Sequence, residues 1–110
     1  MNILVVRDER ERIIGMACVA LVLYPSGLKA RLEDVVVDES WRRRGVGRSL
    51  VIAAVVKARK AGAKYMDLTS APHRHAAIEL CEQTGFVERS MKSYRHRLIA
   101  NAVHPIIEMM

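Results

Sequence analysis

An α/β (α+β) domain with a mixed, mainly antiparallel sheet is predicted by three observations. Three β-type runs follow one another across short turns. A run with helical spacing then separates the third from a fourth β-type run. A second helical run is followed by a last extended stretch, so the C-terminal half reads β-α-β-α-β.

Residues 3–7 and 12–23 flank the polar segment 8–11, which makes them a hairpin by loop length. The second of these runs is apolar on both faces, the pattern of a central strand covered on both sides. Tyr24-Pro25-Ser26-Gly27 supplies the next turn, and residues 28–37 form a third strand of an antiparallel meander. Over residues 47–61, Leu50, Val51, Ala54, Val55 and Ala58 recur at three-to-four spacing. Lys57, Arg59 and Lys60 crowd the last turn, where they complement the helix dipole, and Gly62 follows as a stop. Residues 64–69 are a strand parallel to 28–37, because a helix connects them. Residues 70–74 are a loop and 76–84 a second helix with Gly85 after its end. Residues 86–98 are expected to return as one or two strands. Residues 1–100 form one domain and 101–110 a tail without a period, either mobile or, through Ile106, Ile107, Met109 and Met110, an apolar patch for a partner.

Composition narrows the functions. A chain of 110 residues with 51% hydrophobic but only 5% aromatic residues has an aliphatic core and no disorder signature. The longest uncharged apolar stretch, residues 13–24, is shorter than the ~20 residues a helix needs to cross a bilayer. Charges at residues 7–12 leave no signal-peptide core, so a cytoplasmic protein is expected. Cys18 and Cys81 have neither metal spacing nor a disulfide framework and read as free thiols. His73 and His75, beside Pro72 with no cysteine or carboxylate at ligand spacing, assign no metal. The net charge of +6 suits an anionic ligand, either a cofactor with several phosphates or nucleic acid.

The stretch that decides between these is Arg42-Arg43-Arg44-Gly45-Val46-Gly47, at the junction of the Val35-Val36-Val37 strand and the first helix. The first N–H groups of a helix lack intrahelical partners, and the dipole puts partial positive charge there. Two glycines keep Cβ atoms from a phosphate, and Arg42, Arg43, Arg44 and Arg48 surround it with cations, so the loop reads as a pyrophosphate cradle. It is no Walker loop, lacking the Lys-Ser/Thr pair, and no dinucleotide fingerprint, lacking the third glycine. Taken alone, it is also compatible with a solvated basic turn.

Arg42-x-x-Gly45-x-Gly47, preceded by residues 32–37 and followed by a helix and the run 64–69, resembles the acyl-CoA-binding core of the GNAT-type N-acetyltransferase superfamily. The loop matches that family's Gln/Arg-x-x-Gly-x-Gly/Ala pattern. A second segment, residues 76–86, resembles the family's later helix and its Gly-Phe entry into a strand, so the likeness covers residues 12–98. The resemblance implies acetyl-CoA as cosubstrate without a metal, and a small-molecule or protein amine as acceptor. It also implies main-chain hydrogen bonds from Val35, Val36 and Val37 to the pantetheine arm, and backbone contacts from Arg43, Arg44, Gly45, Val46, Gly47 and Arg48 to the pyrophosphate. The family usually begins with a strand and two helices on the acceptor side, to which nothing here corresponds. The apolar sheet left open predicts a homodimer.

Acetyl transfer needs a neutral amine, a polarised thioester carbonyl and a proton for the departing thiolate. Glu33, two residues before Val35 and so expected on the same strand face, is the candidate base; a solvated carboxylate or an ion pair with a nearby arginine is the equal alternative. Where the family commonly has Asn this chain has Arg74, a charged contact near the cofactor. Where it commonly has Tyr, often assigned as the acid, it has Cys81. Cys81 is the candidate acid, although a small core residue is the favoured reading. Tyr94 is the fallback acid, with ordinary sheet packing as its other role. The sequence thus predicts an acetyl-CoA-dependent transfer of acetyl to a primary amine. Its rival is a CoA-binding regulatory or structural module without turnover. Nucleic-acid binding ranks last, since stacking aromatics are few and no recognition motif is present.

Overall fold

The computed structural model describes residues 1–70 and 73–98. Strands β1 (Asn2–Arg7), β2 (Ile13–Tyr24) and β3 (Gly27–Val37) form the expected meander, and β4 (Met66–Asp67) completes a sheet of order β1-β2-β3-β4. The first two pairings are antiparallel and β3/β4 is parallel. Both hairpin turns have local causes. In the first, the Asp8 carboxylate accepts the N–H groups of Arg10 (2.8 Å) and Arg12 (3.0 Å), an Asx-type turn. In the second, Tyr24 pairs directly with Gly27, leaving Pro25 and Ser26 as the loop.

Helix α1 (Val46–Lys60) crosses from β3 to β4 and packs one face of the sheet. Leu50, Val51, Ala54 and Ala58 meet Ala17, Val19, Ala30 and Leu32 in one buried cluster. Alanines on both layers let the helix lie close to the sheet, and burial of Leu50 and Val19 contributes about 1.5–3 kcal/mol each. A close approach is made at Gly15, where a Cβ would stand 2.9 Å from Val46 Cγ1 and 3.1 Å from Leu50 Cδ1. Helix α2 (His75–Gln83) sets Leu80 and the following Phe86 against this core.

Three expectations are corrected. First, β3 is not a uniform ladder: Cys18 pairs with Glu33 and Met16 with Val36, so three residues of β3 are spanned against two of β2. The bulge sits at Asp34, whose φ is +49°. It shifts the alternation, so Val35 and Val37 pack toward the core under α1, whereas Glu33 lies with its partner Cys18 on the opposite face. Glu33 and Val35 therefore do not share a face.

Second, the strand expected at residues 64–69 is confined to Met66–Asp67, although Lys64 N–H to the Leu28 carbonyl (2.9 Å) and Ala30 N–H to the Tyr65 carbonyl (3.0 Å) tie the approach. Beyond Arg31↔Asp67 the two strands no longer pair, because β3 heads into its bulge.

Third, residues 86–98 form no strand. The Phe86 N–H closes onto the Cys81 carbonyl (3.0 Å), and from there to Leu98 the described residues join no ladder. A strand needs a neighbour to satisfy its backbone, and a two-residue β4 offers almost no template. Val87 and Tyr94 are accordingly 84% and 87% exposed. The tail 101–110 and its apolar residues lie outside the described residues.

Candidate functional site

The site is built where β3 ends and α1 begins. Asp38 caps a short 3-10 turn, Glu39–Trp41: its Oδ1 accepts the Ser40 N–H (3.0 Å) and the Ser40 hydroxyl (2.7 Å). The Ser40 hydroxyl first, and its N–H second, hold the Asp38 carboxyl below the usual carboxylate range. Arg43 (φ +63°) and Gly45 (φ +82°) then curl the chain into α1. An L-residue pays about 1–2 kcal/mol for the left-handed region, and Gly45 avoids that cost.

The first intrahelical bond of α1 runs from Ser49 N–H to the Gly45 carbonyl (3.0 Å), so the N–H groups of Val46, Gly47 and Arg48 have no partner within the helix. Nothing stands within 4 Å of a Cβ built on Gly45, so the space over the loop is open. Gly47 faces inward instead: a Cβ there would contact Leu80 Cδ2 at 3.5 Å and Val37 Cγ2 at 3.7 Å, ordinary van der Waals distances.

The four arginines are not equivalent. Arg44 stacks its guanidinium on the Trp41 ring (4.9 Å), and Arg42 Nε donates to the Val37 carbonyl (3.4 Å). Arg43 and Arg48 are exposed and have no ion-pair partner among the described residues, so they are the free cations beside the helix start.

The second part of the site is the gap between β3 and the chain after β4. From Leu32 to Val37 the outer edge of β3 has no partner strand among the described residues. After the bulge, the Asp38 N–H reaches inward to the Ile14 carbonyl (2.7 Å), while the Val37 carbonyl meets Arg42 on the open side. Val35 and Val37, two residues apart, therefore turn their main-chain groups to the open edge and Val36 turns its own to β2. Just past β4, the Ser70 Oγ is buried without a hydrogen-bond partner among the described residues. An open helix start, a free strand edge and an orphaned hydroxyl fit a long polar group with a diphosphate at one end.

Across the vertex of the gap lies a chain of polar side chains, of which the sequence singled out Glu33 but neither Arg31 nor Thr69. Arg31 Nε holds Glu33 Oε1 at 2.9 Å, and Arg31 Nη2 donates to Thr69 Oγ1 at 3.0 Å. The only advance signal was the two-residue spacing of Arg31 and Glu33 on one strand face. Glu33 is thus in the ion pair that was its alternative role, but it is partly exposed and still reachable.

The remaining candidates are less well gathered. Leu80 packs on Gly47, which places the C-terminal part of α2 beside the loop. Cys81, its neighbour, is half-buried; burial first, and the Glu82 carboxylate second, push its thiol up. Arg74 caps the far end of α2, about 9 Å along the axis from Leu80 at 1.5 Å per residue. Tyr94 stands in solvent on the unpaired segment, outside any sheet packing. Among the described residues no His/Cys/Asp/Glu group could hold a metal ion.

The helix start behind Gly45 and the splayed edge of β3 thus both border the β3–α1 junction of an α/β domain. The chain belongs to the acetyltransferase (GNAT) family, which matches residues 2–86. It is 31% identical over 62 residues to an uncharacterized N-acetyltransferase of Methanocaldococcus jannaschii, covering 56% of this chain and 27% of that protein. A putative acetyltransferase from Agrobacterium tumefaciens superposes with a TM-score of 0.71 at 26% identity, over 84% of this chain and 66% of its own. A Trypanosoma brucei acetyltransferase does so with a TM-score of 0.70 at 27% identity, over 82% and 63%. The chain spans about a quarter of the curated relative and somewhat under two thirds of these two solved chains.

Proposed function

We propose that this chain binds acetyl-CoA and transfers the acetyl group directly to a primary amine. The observation that carries the reading is the alignment of two unsatisfied backbone sets, the α1 N-terminus behind Gly45 and the open β3 edge at Val35 and Val37. Val46, Gly47 and Arg48 would take the pyrophosphate on their N–H groups, with Arg43 and Arg48 as counter-charges, while Val35 and Val37 would hold the pantetheine arm by main-chain hydrogen bonds. Ser70 would supply one further hydrogen bond. When bound, the cosubstrate supplies an acyl group activated as a thioester.

Glu33, at the vertex, takes a proton from the acceptor ammonium, and Arg31, itself held by Thr69, fixes the carboxylate's direction. The amine nitrogen then bonds to the acyl carbon as the carbon–sulfur bond breaks, and the sulfur leaves with the electron pair. Cys81, kept protonated by its surroundings, or water gives a proton to the sulfur and regains one from the acylated nitrogen, which sheds its second proton to become the neutral amide. The test is turnover of acetyl-CoA with an amine panel. Glu33→Gln should lower kcat by about 10²-fold with CoA affinity unchanged, and Cys81→Ala should lower it much less. The reverse ranking would make Cys81 the essential group.

The competing reading, a CoA-binding module without turnover, draws its support from Tyr94, which stands in solvent rather than near the loop. CoA binding with no amine acetylated would favour it. The proposal extends to self-association and to the cytoplasm. Ile3, Val5 and Val36 are exposed on the sheet face opposite α1, which suits burial in a dimer, and the cysteines are free. Among the described residues no helix is long and apolar enough to cross a membrane. A monomer mass by light scattering at micromolar concentrations would remove the dimer from the reading.

A further inference from the structure

On the sheet face away from α1, a cleft of about 300 Å³ adjoins the vertex where β3 and β4 part. Its side chains lie in two rows. Lys29 and Tyr65, with Tyr24 beyond them, form the outer row; Arg31 and Asp67, paired in register at the last rung of the parallel ladder, form the inner one. The rows are one pleat apart, about 7 Å, and Glu33 stands one pleat further along β3, at the mouth of the gap.

The charges in this cleft are unequally satisfied. Arg31 is occupied by Glu33 and Thr69. Asp67 has no ion-pair partner among the described residues. The Lys29 ammonium has none either, and stands over the Tyr24 ring (4.8 Å) and the Tyr65 ring (5.4 Å), which fix its position between them. An anion acceptor and a cation acceptor of opposite sign thus face one small space with aromatic walls, at a spacing set by the strand.

We propose that this cleft is the acceptor subsite and that it takes a small primary amine bearing an anionic group. The ammonium lies at Asp67, on the side of Glu33. The carboxylate or phosphate lies at Lys29, and the connecting carbons lie against Tyr24 and Tyr65. The assignment rests on the acetyl-transfer reading for the identity of the reacting end. The cleft has the volume of a small-molecule site at the lower end of the usual range, enough for a short-chain amine and not for a folded protein partner. The side chain of a peptide lysine carries no anion of its own to meet Lys29.

The test is calorimetric titration of the full chain, with and without CoA, using 4-aminobutanoate, 3-aminopropyl phosphate and butylamine. The first two span about one pleat between charges, and the third lacks the anion. Both anionic amines should bind at least about tenfold more tightly than butylamine. A preference between them tells carboxylate from phosphate. Lys29→Met, which keeps an unbranched apolar stem of nearly the same length over the rings, should abolish the advantage and leave butylamine unchanged. Asp67→Asn should weaken all three. Equal affinity for the three amines, no saturable binding, or an undiminished advantage in Lys29→Met overturns the subsite. CoA affinity is read in the same titrations, so a chain that binds anionic amines but not CoA refutes the cofactor reading while keeping the cleft, and the converse refutes the cleft alone.

Discussion

Replacement of Gly45 separates backbone cost from charge. At φ +82° any L-residue is strained, but a Cβ there meets nothing within 4 Å, so the penalty is conformational alone. Gly45→Asn and Gly45→Asp should each cost about 1–2 kcal/mol of stability and differ little from one another, since both have short polar side chains that tolerate the left-handed region. Their effect on CoA should differ widely. An added carboxylate about 6 Å from a doubly charged pyrophosphate is repelled by about 1.4 kcal/mol in a water-like dielectric and about 5.5 kcal/mol at an effective constant of ~20. Gly45→Asp should therefore bind CoA at least about tenfold more weakly than Gly45→Asn. Calorimetry with CoA, run beside thermal unfolding of both variants, supplies the two numbers. Equal CoA affinity in two equally folded variants would refute the placement of the diphosphate at this helix start.

Other outcomes follow from the packing and the titrating groups. Gly15→Ala forces a Cβ to 2.9 Å from Val46 Cγ1, next to Leu50, and should cost about 1–3 kcal/mol in a urea melt; an unchanged midpoint would mean that α1 shifts freely on the sheet. Asp8, held low chiefly by the Arg12 N–H, and Asp38, held low chiefly by the Ser40 hydroxyl, both have folded pKa values below the ordinary 3.8. Their contribution to stability is complete above that value and lost as pH falls through the folded values. An Asp8→Asn, Asp38→Asn double variant should therefore show a flatter loss of stability in acid, and an unaltered acid limb would contradict these hydrogen bonds. For Cys81, whose thiol is raised, the sign reverses: its contribution is present below the ordinary thiol value and lost as pH rises through the folded one. In a Cys18→Ala background, alkylation at pH 8 should be slower in the native chain than in urea, and equal rates would contradict the burial.

The meander and α1 were legible because their causes are local. Asp8 and Pro25-Ser26-Gly27 write the turns, and Leu50, Val51, Ala54 and Ala58 write one helix face. The backbone course of the loop before α1 was legible for the same reason, since Gly45 marks a left-handed residue at a helix start. The bulge was not: Asp34 reaches φ +49° in a run that reads as plain strand, and that one residue moves Glu33 to the face opposite Val35. The length of β4 depends on where β3 bends, and residues 86–98 on whether any edge is offered to them. Both are long-range conditions invisible in a local pattern. The roles within the arginine run were equally hidden, because only the fold shows Arg44 spent on Trp41 and Arg42 on Val37, leaving Arg43 and Arg48 without an ion-pair partner among the described residues.

The most direct test is a titration of the isotopically labelled chain with CoA, followed by backbone amide resonances. Saturable shifts should concentrate on two stretches far apart in sequence, Val35 with Val37 and Arg43 with Gly45 to Arg48, with little change in the β1/β2 hairpin. Absence of saturable shifts, or shifts centred on the hairpin instead, would contradict the binding of an acyl-CoA along the open edge of β3.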